Sequence, residues 1–252
     1  MTLEILPGAH AWSHDGGRVG VLCLHGFTGN PASMRPVAEA FADAGYSVEL
    51  PRLPGHGTTV EDMMTTGFPD WAAEAETALA RLRTRTERVI VAGQSMGGLL
   101  ALWVGVHHPD IAGLVLVNPV TMPLDPEIVE MARGMLEEGT DLIPGGGSDI
   151  ADPEVVDSAY PGTPLAPLIS MIEHGSGPLT DRFGELTMPM LLINSVQDHV
   201  VDPANSDHLE TTAGGPVERV RLERSYHVAT IDYDRDLIIS RALEFAARVA
   251  GS

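Results

Sequence analysis

Short segments with apolar residues at consecutive positions alternate along this chain with longer amphipathic segments. The short ones span 19–25, 47–50, 88–93, 113–118, 190–195 and 217–222, and the long ones span 34–44, 70–83, 97–107, 205–212 and 234–249. A strand that is apolar on both sides of its pleat is covered on both faces, as in parallel sheets. The alternation therefore predicts an α/β fold with a mostly parallel central sheet and helices on both faces.

One interval, residues 120–182, does not follow this alternation. It is rich in proline and glycine, with Gly145, Gly146 and Gly147 in a row, and shows helical patterns only at 126–136 and 163–172. Sixty-odd residues are too many for an ordinary connection. We predict a small helical cap inserted over one end of the sheet, with residues 1–119 and 183–252 forming the core domain.

Charge and composition restrict the partners. The 252 residues include 15 Lys and Arg against 35 Asp and Glu, a net charge of −20, so nucleic acid and anionic membrane surfaces are disfavoured and a neutral small molecule is expected. A single cysteine, Cys23, excludes internal disulfides and cysteine metal clusters. Neither a secretory leader nor a spanning segment is predicted, which indicates a soluble, cytoplasmic protein without stable membrane insertion.

The pentapeptide Gly93-Gln94-Ser95-Met96-Gly97 lies between a predicted strand and a predicted helix. A serine on such a sharp turn has a strained backbone that only small neighbours tolerate, and its hydroxyl is lifted clear of the sheet. The helix N-terminus behind it favours negative charge where an oxyanion would form. We therefore predict Ser95 as a nucleophile; a glycine-rich turn with an exposed serine is the alternative.

A serine nucleophile needs a base, and the base needs an orienting carboxylate. Asp198 follows the predicted strand 190–195, and His227 follows the predicted strand 217–222. This is the chain order of nucleophile, acid and histidine in α/β-hydrolases. Asp202 is a competing acid, but Pro203 marks it as the cap of a helix, and His199 is interpreted as structural or solvated.

The remaining histidines are given structural interpretations. His25 and His56 are expected to brace their loops, and no acidic partners at metal-ligand spacing surround the others, at positions 10, 14, 107, 108, 174 and 208. Two backbone donors are expected for the oxyanion, namely the N–H of Met96 and, from the loop His25 to Gly29, the N–H of Phe27.

These motifs together resemble the α/β-hydrolase superfamily, and within it the bacterial monoacylglycerol lipases and their carboxylesterase relatives. The resemblance rests on segments 24–29, 33–39, 50–57, 93–98, 198–201 and 225–234. It implies a catalytic triad of Ser95, His227 and Asp198, an oxyanion hole from Phe27 and Met96, and a small cap over an acyl-binding tunnel. It also implies cleavage of a neutral ester, most simply a monoacylglycerol, without cofactor or metal.

Within the cap the resemblance is weaker. Asp157 is a candidate contact for a glycerol hydroxyl, with a helix-surface carboxylate as the alternative, and the three consecutive glycines depart from the bulkier pattern of that family. Leu142, Ile143 and Met171 are candidate acyl contacts, although apolar cap residues also serve in simple packing. A homodimer is left open.

Three rival functions keep the same fold. A general carboxylesterase would lack selectivity for glycerol, and amide, lactone or carbon–carbon bond cleavage would use the same triad. A non-catalytic small-molecule receptor would need no triad. Dehalogenase chemistry is disfavoured, because it needs a carboxylate where Ser95 stands.

Overall fold

A central sheet organises the molecule in the computed structural model, which describes residues 3–145 and 148–251. The strands in chain order are β1 (Trp12–His14), β2 (Val19–Leu24), β3 (Ser47–Leu50), β4 (Arg88–Gln94), β5 (Gly113–Val117), β6 (Leu142–Pro144), β7 (Gly162–Pro164), β8 (Met190–Ser195) and β9 (Val217–Leu222). Seven of them form the sheet in the order β1-β3-β2-β4-β5-β8-β9. All neighbours in it are parallel except β1 and β3.

The helices are α1 (Pro31–Asp43), α2 (Val60–Met63), α3 (Phe68–Arg83), α4 (Met96–His107), α5 (Pro126–Glu137), α6 (Leu165–Met171), α7 (Gly177–Thr180), α8 (Ala204–Thr212) and α9 (Arg235–Ala250). Helices α3 and α4 pack on one face of the sheet, and α1 and α9 pack on the other. Each face buries its own apolar cluster, which is why the strands are apolar at consecutive positions. The predicted α/β fold with a mostly parallel sheet covered on both faces is confirmed.

The chain reverses its winding direction between β2 and β4. From β2 it crosses through α1 to β3 on one side, and from β3 it returns through α3 to β4 on the other side of β2. The carboxyl ends of β2 and β4 therefore lie side by side, with the crossover helices on opposite faces. Such a switch point is where open α/β sheets bind ligands.

Local sequence signals explain where the helices begin. The Asn30 side chain accepts a hydrogen bond from the N–H of Ala32 at 3.0 Å, and Pro31 is the first residue of α1. At α3 the Asp70 carboxylate accepts from the N–H of Gly67 at 2.9 Å. Both contacts satisfy N–H groups that have no partner within the helix.

Residues 120–182, called the cap segment from here on, connect β5 to the elements before β8. They contain α5, the antiparallel pair β6–β7, α6, a π-helical turn (Ile172–Ser176) and α7. Apolar residues of α5 and α6 pack together around Leu165. The hydroxyl of Tyr160 links the segment to the core, because it accepts from the N–H of Thr58 at 2.8 Å and donates to the carbonyl of Gly55 at 2.9 Å.

The cap segment differs from the sequence prediction in one respect. Helical pieces were predicted at 126–136 and 163–172, but the pair β6–β7 was not, because strands of three residues show no usable alternation. Gly146 and Gly147, in the glycine run that departs from the family pattern, lie outside the described residues. Within the described ranges, no helix is both long and apolar enough to cross a membrane.

Candidate active site

Ser95 stands on a strained turn at the carboxyl end of β4. Its φ of 56° and ψ of −120° are unfavourable for a residue with a side chain. A Cβ on Gly93 would lie 2.0 Å from the carbonyl oxygen of Gly97, and a Cβ on Gly97 would lie 2.1 Å from that of Leu24. Both positions therefore require glycine, which is the physical basis of the pentapeptide motif at residues 93–97.

His227 lies on the loop after β9 and reaches Ser95 across the carboxyl edge of the sheet. Its Nε2 is 2.9 Å from Ser95 Oγ, and its Nδ1 is 2.8 Å from Asp198 Oδ2. The His227 and Asp198 side chains are 8% and 2% exposed, so the contact is shielded from water. The structure thus brings together three residues that are 132 and 29 positions apart in the chain.

The Asp198 carboxylate is held in a fixed orientation. Its Oδ1 accepts from the N–H groups of Val200 at 2.9 Å and Val201 at 2.8 Å, while Oδ2 faces the imidazole. Because a carboxylate only accepts, the His227 Nδ1 must carry the proton in this contact. The Nε2 lone pair is then directed at the Ser95 hydroxyl, as a general base requires.

Asn118 holds the backbone of His227 from the opposite side. It follows β5 with a φ of 45°, a conformation that asparagine tolerates better than most residues. Its Nδ2 donates to the carbonyl of His227 at 2.8 Å, and its Oδ1 accepts from the N–H of Ser195 at 2.7 Å. From the sequence, Asn118 was predicted only as the end of a strand; the available signal for its role was a polar residue at the carboxyl end of a buried strand.

The predicted oxyanion donors lie on both sides of Ser95. Met96 is the first residue of α4, and the first N–H groups of a helix have no intrahelical acceptor. On the other side, the loop after β2 comes so close that a Cβ on Gly26 would lie 3.3 Å from the Ser95 Cβ. Phe27, the next residue, lines the space in front of Ser95. The assignment of the Phe27 and Met96 N–H groups stays a prediction.

His25 and His56 lie fully buried beneath this loop, with ring centroids 5.1 Å apart. His25 Nε2 accepts from the N–H of Leu53 at 3.2 Å, and its Nδ1 lies 3.0 Å from the carbonyl of Gly26. His56 Nδ1 lies 2.9 Å from the carbonyl of Pro54. These contacts match the bracing role expected for both residues. Burial is the main cause that holds the pKa of His25 well below its usual range and lowers that of His56 from 6.5 to about 4.

This buried pair predicts that the protein loses stability in mild acid. The unfolded chain binds protons at His56 below about pH 6.5, whereas the folded chain resists them until about pH 4, so stability falls as the pH drops through that window. For His56 alone we expect a loss of about 2 kcal/mol in the free energy of unfolding between about pH 7.5 and pH 5. Denaturant titrations at the two pH values measure it.

A matched pair of variants separates this effect from the general charge of the chain. His56→Asn should show a shallower dependence of the unfolding free energy on pH than the wild type, whatever its stability at neutral pH. His174→Asn removes an exposed histidine and should keep the wild-type dependence. Equal slopes for all three proteins would contradict a neutral, buried His56.

Two cavities meet at Ser95, and the lining of the first has a larger share of polar residues than that of the second; they are called the polar and the apolar cavity. The first, of about 180 Å³, is lined by Ser95 and His227 together with polar groups of the cap segment, including Ser148, Asp149 and Asp157. The second, of about 420 Å³, is lined mainly by apolar residues, including Phe27, Val120, Leu168, Met171 and Ile172. Val200 lines both cavities. The arrangement gives the Ser95 hydroxyl a polar side and an apolar side.

The predicted substrate contacts divide accordingly. Asp157 lines the polar cavity, and its Oδ2 accepts from the Ser148 hydroxyl at 2.7 Å. Met171 lines the apolar cavity and is 7% exposed. Ile143 lies on β6 with 37% exposure and is not among the residues that line either cavity, and the same holds for Leu142. Both residues belong to β6, whose partner in the small sheet is β7, so the two candidate acyl contacts in this strand lie away from the cavities at Ser95.

The competing residues have other partners. Asp202 Oδ1 accepts from the N–H of Ala204 at the start of α8, at 2.8 Å. His199 is 60% exposed and pairs with Asp149, and His108 lies 2.8 Å from a carboxylate oxygen of Glu76. Burial raises the pKa of the Cys23 thiol to about 12, which makes it a poor nucleophile. Among residues 3–145 and 148–251, no group of three or more His, Cys, Asp or Glu is arranged to hold a metal ion.

Comparisons with known proteins show the family of this chain. A model of the alpha/beta hydrolase fold family matches residues 20–138. The chain is 44% identical over 250 residues to a thermostable monoacylglycerol lipase from Bacillus sp. (strain H-257), covering 98% of both chains. It is 26% identical to a carboxylesterase from Bacillus subtilis (strain 168), covering 94% of this chain and 96% of that protein. A solved structure described with the metagenome-derived lipolytic enzymes LipS and LipT superposes with a TM-score of 0.91, at 38% identity, covering 97% of this chain and 100% of that one. The resemblance noted from the motifs is thereby confirmed, and the chain belongs to the α/β-hydrolase family.

Proposed function

We propose that this protein is a serine hydrolase that cleaves monoacylglycerols to glycerol and a fatty acid. One observation carries the proposal: the contact of Ser95 with His227 and of His227 with Asp198 lies where a polar and an apolar cavity meet. An ester of a polyol with a fatty acid has the same two-sided character. The relatives that are named as lipases and esterases support the same class of reaction.

The acylation half of the reaction follows from the hydrogen bonds. His227 Nε2 takes the proton of the Ser95 hydroxyl as Oγ forms a bond to the ester carbonyl carbon. Asp198 keeps the imidazole in the required tautomer and stabilises the imidazolium. The bond from carbon to the alcohol oxygen then breaks, and Nε2 delivers its proton to that oxygen, so glycerol leaves.

The deacylation half uses the same groups. A water molecule attacks the acyl carbon and gives a proton to His227 Nε2, the bond to Ser95 Oγ breaks, and Oγ regains that proton. The fatty acid leaves and the enzyme returns to its starting state. We assign the N–H groups of Phe27 and Met96 to the oxyanion of both tetrahedral intermediates. One such donor lowers the activation free energy by about 3 kcal/mol.

The polar cavity favours a neutral alcohol. Asp149 and Asp157 are among the residues that line it, and the chain has a net charge of −20. Carboxylates accept hydrogen bonds from hydroxyl groups but repel a phosphate or a second carboxylate. We therefore assign the Asp157 carboxylate to a glycerol hydroxyl, and we expect phospholipids and charged esters to be poor substrates.

The apolar cavity sets the size of the acyl group. An apolar cavity of roughly 150 Å³ holds one benzene molecule. A cavity of about 420 Å³ then accommodates an acyl chain of medium length.

A cytoplasmic location and a homodimer stay predictions; the exposed apolar side chains of α5, Ile128 and Met131, are the surface that a dimer would use.

A hydrolysis profile tests the proposal. We expect turnover of monoacylglycerols to reach a maximum at medium chain length and to exceed turnover of the ethyl ester of the same acid. Asp157→Ala should reduce the preference for the glyceryl ester by about 10- to 150-fold, because a hydrogen bond to a charged group contributes about 1.5–3 kcal/mol, and should leave the ethyl ester nearly unaffected. Initial rates on the paired esters give both quantities.

The control is Glu154→Ala, which removes an exposed carboxylate of the cap segment outside the cavity lining. This variant should keep the wild-type preference. Equal rates on glyceryl and ethyl esters for the wild type would favour a general carboxylesterase, the second candidate. Cleavage of neither ester would contradict the proposed function.

A further inference from the structure

A single carboxylate of the cap segment contacts both loops that carry the proposed acid and base. Asp149 Oδ2 accepts from the backbone N–H of His227 at 3.1 Å and from that of His199 at 3.1 Å. Its Oδ1 lies 2.8 Å from the ring Nδ1 of His199. We propose that Asp149 is a positioning residue that fixes the distance between the Asp198 loop and the His227 loop. The geometry of the triad then depends on how the cap segment packs against these loops.

The contacts are specific in position. His199 is the chain neighbour of Asp198, so the N–H that Asp149 holds belongs to the same turn as the proposed acid. The other N–H belongs to the proposed base itself. The backbone carbonyl of Asp149 also accepts from the N–H of Val228 at 3.0 Å, so the segment is paired with the histidine loop on two consecutive residues.

A second carboxylate strengthens this junction from the histidine side. Asp232 is buried and accepts from four backbone N–H groups. Two of these belong to the cap segment, at Ala151 and Asp152, and the other two belong to Tyr226 and Tyr233. The histidine loop and residues 149–152 therefore form one hydrogen-bonded unit, within which Asp149 makes the direct contact to His227.

The same unit borders the space assigned to the alcohol. Asp149 lines the same cavity as Ser95 and Ser148, and the Ser148 hydroxyl donates to Asp157. A substrate that holds residues 148–157 in place therefore also holds Asp149, whose carboxylate accepts from the N–H of His227. Displacing reacting groups by about 1 Å can cost on the order of 100-fold in rate, so losing this acceptor should affect turnover more than binding.

The inference rests on the proposed function and is tested with two substitutions at one position. Asp149→Ala removes the acceptor and should lower kcat by about 100-fold with KM changed by less than about threefold. Asp149→Asn keeps one oxygen for both backbone N–H groups and turns its amide towards His199 Nδ1, so it should retain most of the wild-type kcat. The rate of phosphonate labelling of Ser95 should fall in parallel with kcat.

Glu154→Gln is the control, because Glu154 is an exposed carboxylate of the cap segment that lies outside residues 149–152 and does not line either cavity. It should keep the wild-type kcat. Should Asp149→Ala fail to fold, Asp149→Glu retains the charge but moves both oxygens by one methylene, and a similar loss of kcat is expected.

The outcomes are distinct. An Asp149→Ala protein with the same kcat as Glu154→Gln would overturn the inference, as would a rise in KM without a loss of kcat. An Asp149→Asn protein that is folded but as slow as Asp149→Ala would overturn it too, because its acceptor oxygen is retained. Ser95→Ala is run beside them: if that protein stays active, the proposed function fails; if it is inactive while Asp149→Ala is fast, only the positioning role fails.

Discussion

A Ser95→Ala variant is expected to hydrolyse monoacylglycerols about 10⁴ to 10⁶ times more slowly than the wild type. The substitution removes the only atom that forms a covalent bond to the acyl group, while it leaves the base and the cavities in place. Alanine is also smaller than serine, so its side chain fits the strained turn without a steric clash. Initial rates on a medium-chain monoacylglycerol, at matched protein concentrations, measure the loss.

Folding and labelling are controlled in the same experiment. Ser240→Ala removes an exposed hydroxyl on α9 and should behave like the wild type. A serine-reactive phosphonate should label the wild type and Ser240→Ala on the peptide that contains Ser95, and should leave Ser95→Ala unlabelled. Retention of most of the activity by Ser95→Ala would refute the nucleophile. A wild type that neither hydrolyses esters nor reacts with the phosphonate would favour a small-molecule receptor.

Features with a local cause could be predicted from the sequence. The turn at Ser95 needs glycine at two fixed neighbours, because a Cβ on either would overlap a backbone carbonyl. Strands buried on both faces need apolar residues at consecutive positions, and this pattern allowed the sheet to be predicted. The bracing of His25 also followed from its place in a tight loop after a strand, and its ring contacts the N–H of Leu53 and the carbonyl of Gly26.

Contacts between distant segments could be predicted only where a motif marks the partners, as it does for Ser95, Asp198 and His227. Asp149 reaches an N–H that lies 78 positions away, and Asp232 reaches one that lies 81 positions away. Nothing in the neighbouring residues distinguishes these carboxylates from surface ones, since their role depends on which backbone the fold brings against them. The short strands of the cap segment could not be predicted for a different reason, because three residues show no usable alternation, and the exposed position of Ile143 could not be predicted without them.

The second large loss of kcat is expected for Asp198→Asn. Its direction follows from the different partners of the two carboxylate oxygens of Asp198. The N–H groups of Val200 and Val201 both donate to Oδ1, so in the variant the amide oxygen must stay there. The amide NH2 then faces His227 Nδ1, where the wild type has Oδ2 at 2.8 Å. An NH2 group can only donate, so Nδ1 must lose its proton and Nε2 must carry it.

That tautomer presents an N–H to Ser95 Oγ, where a lone pair is needed. The imidazole can no longer take the serine proton, and we expect kcat to fall by about 10³ to 10⁴ with folding retained. Asp202→Asn gives the comparison, since asparagine also caps a helix well and Asp202 contacts the start of α8 rather than His227. Its loss of kcat should be far smaller. Equal losses in the two variants would contradict the assignment of Asp198, because only one of the two carboxylates lies against the imidazole.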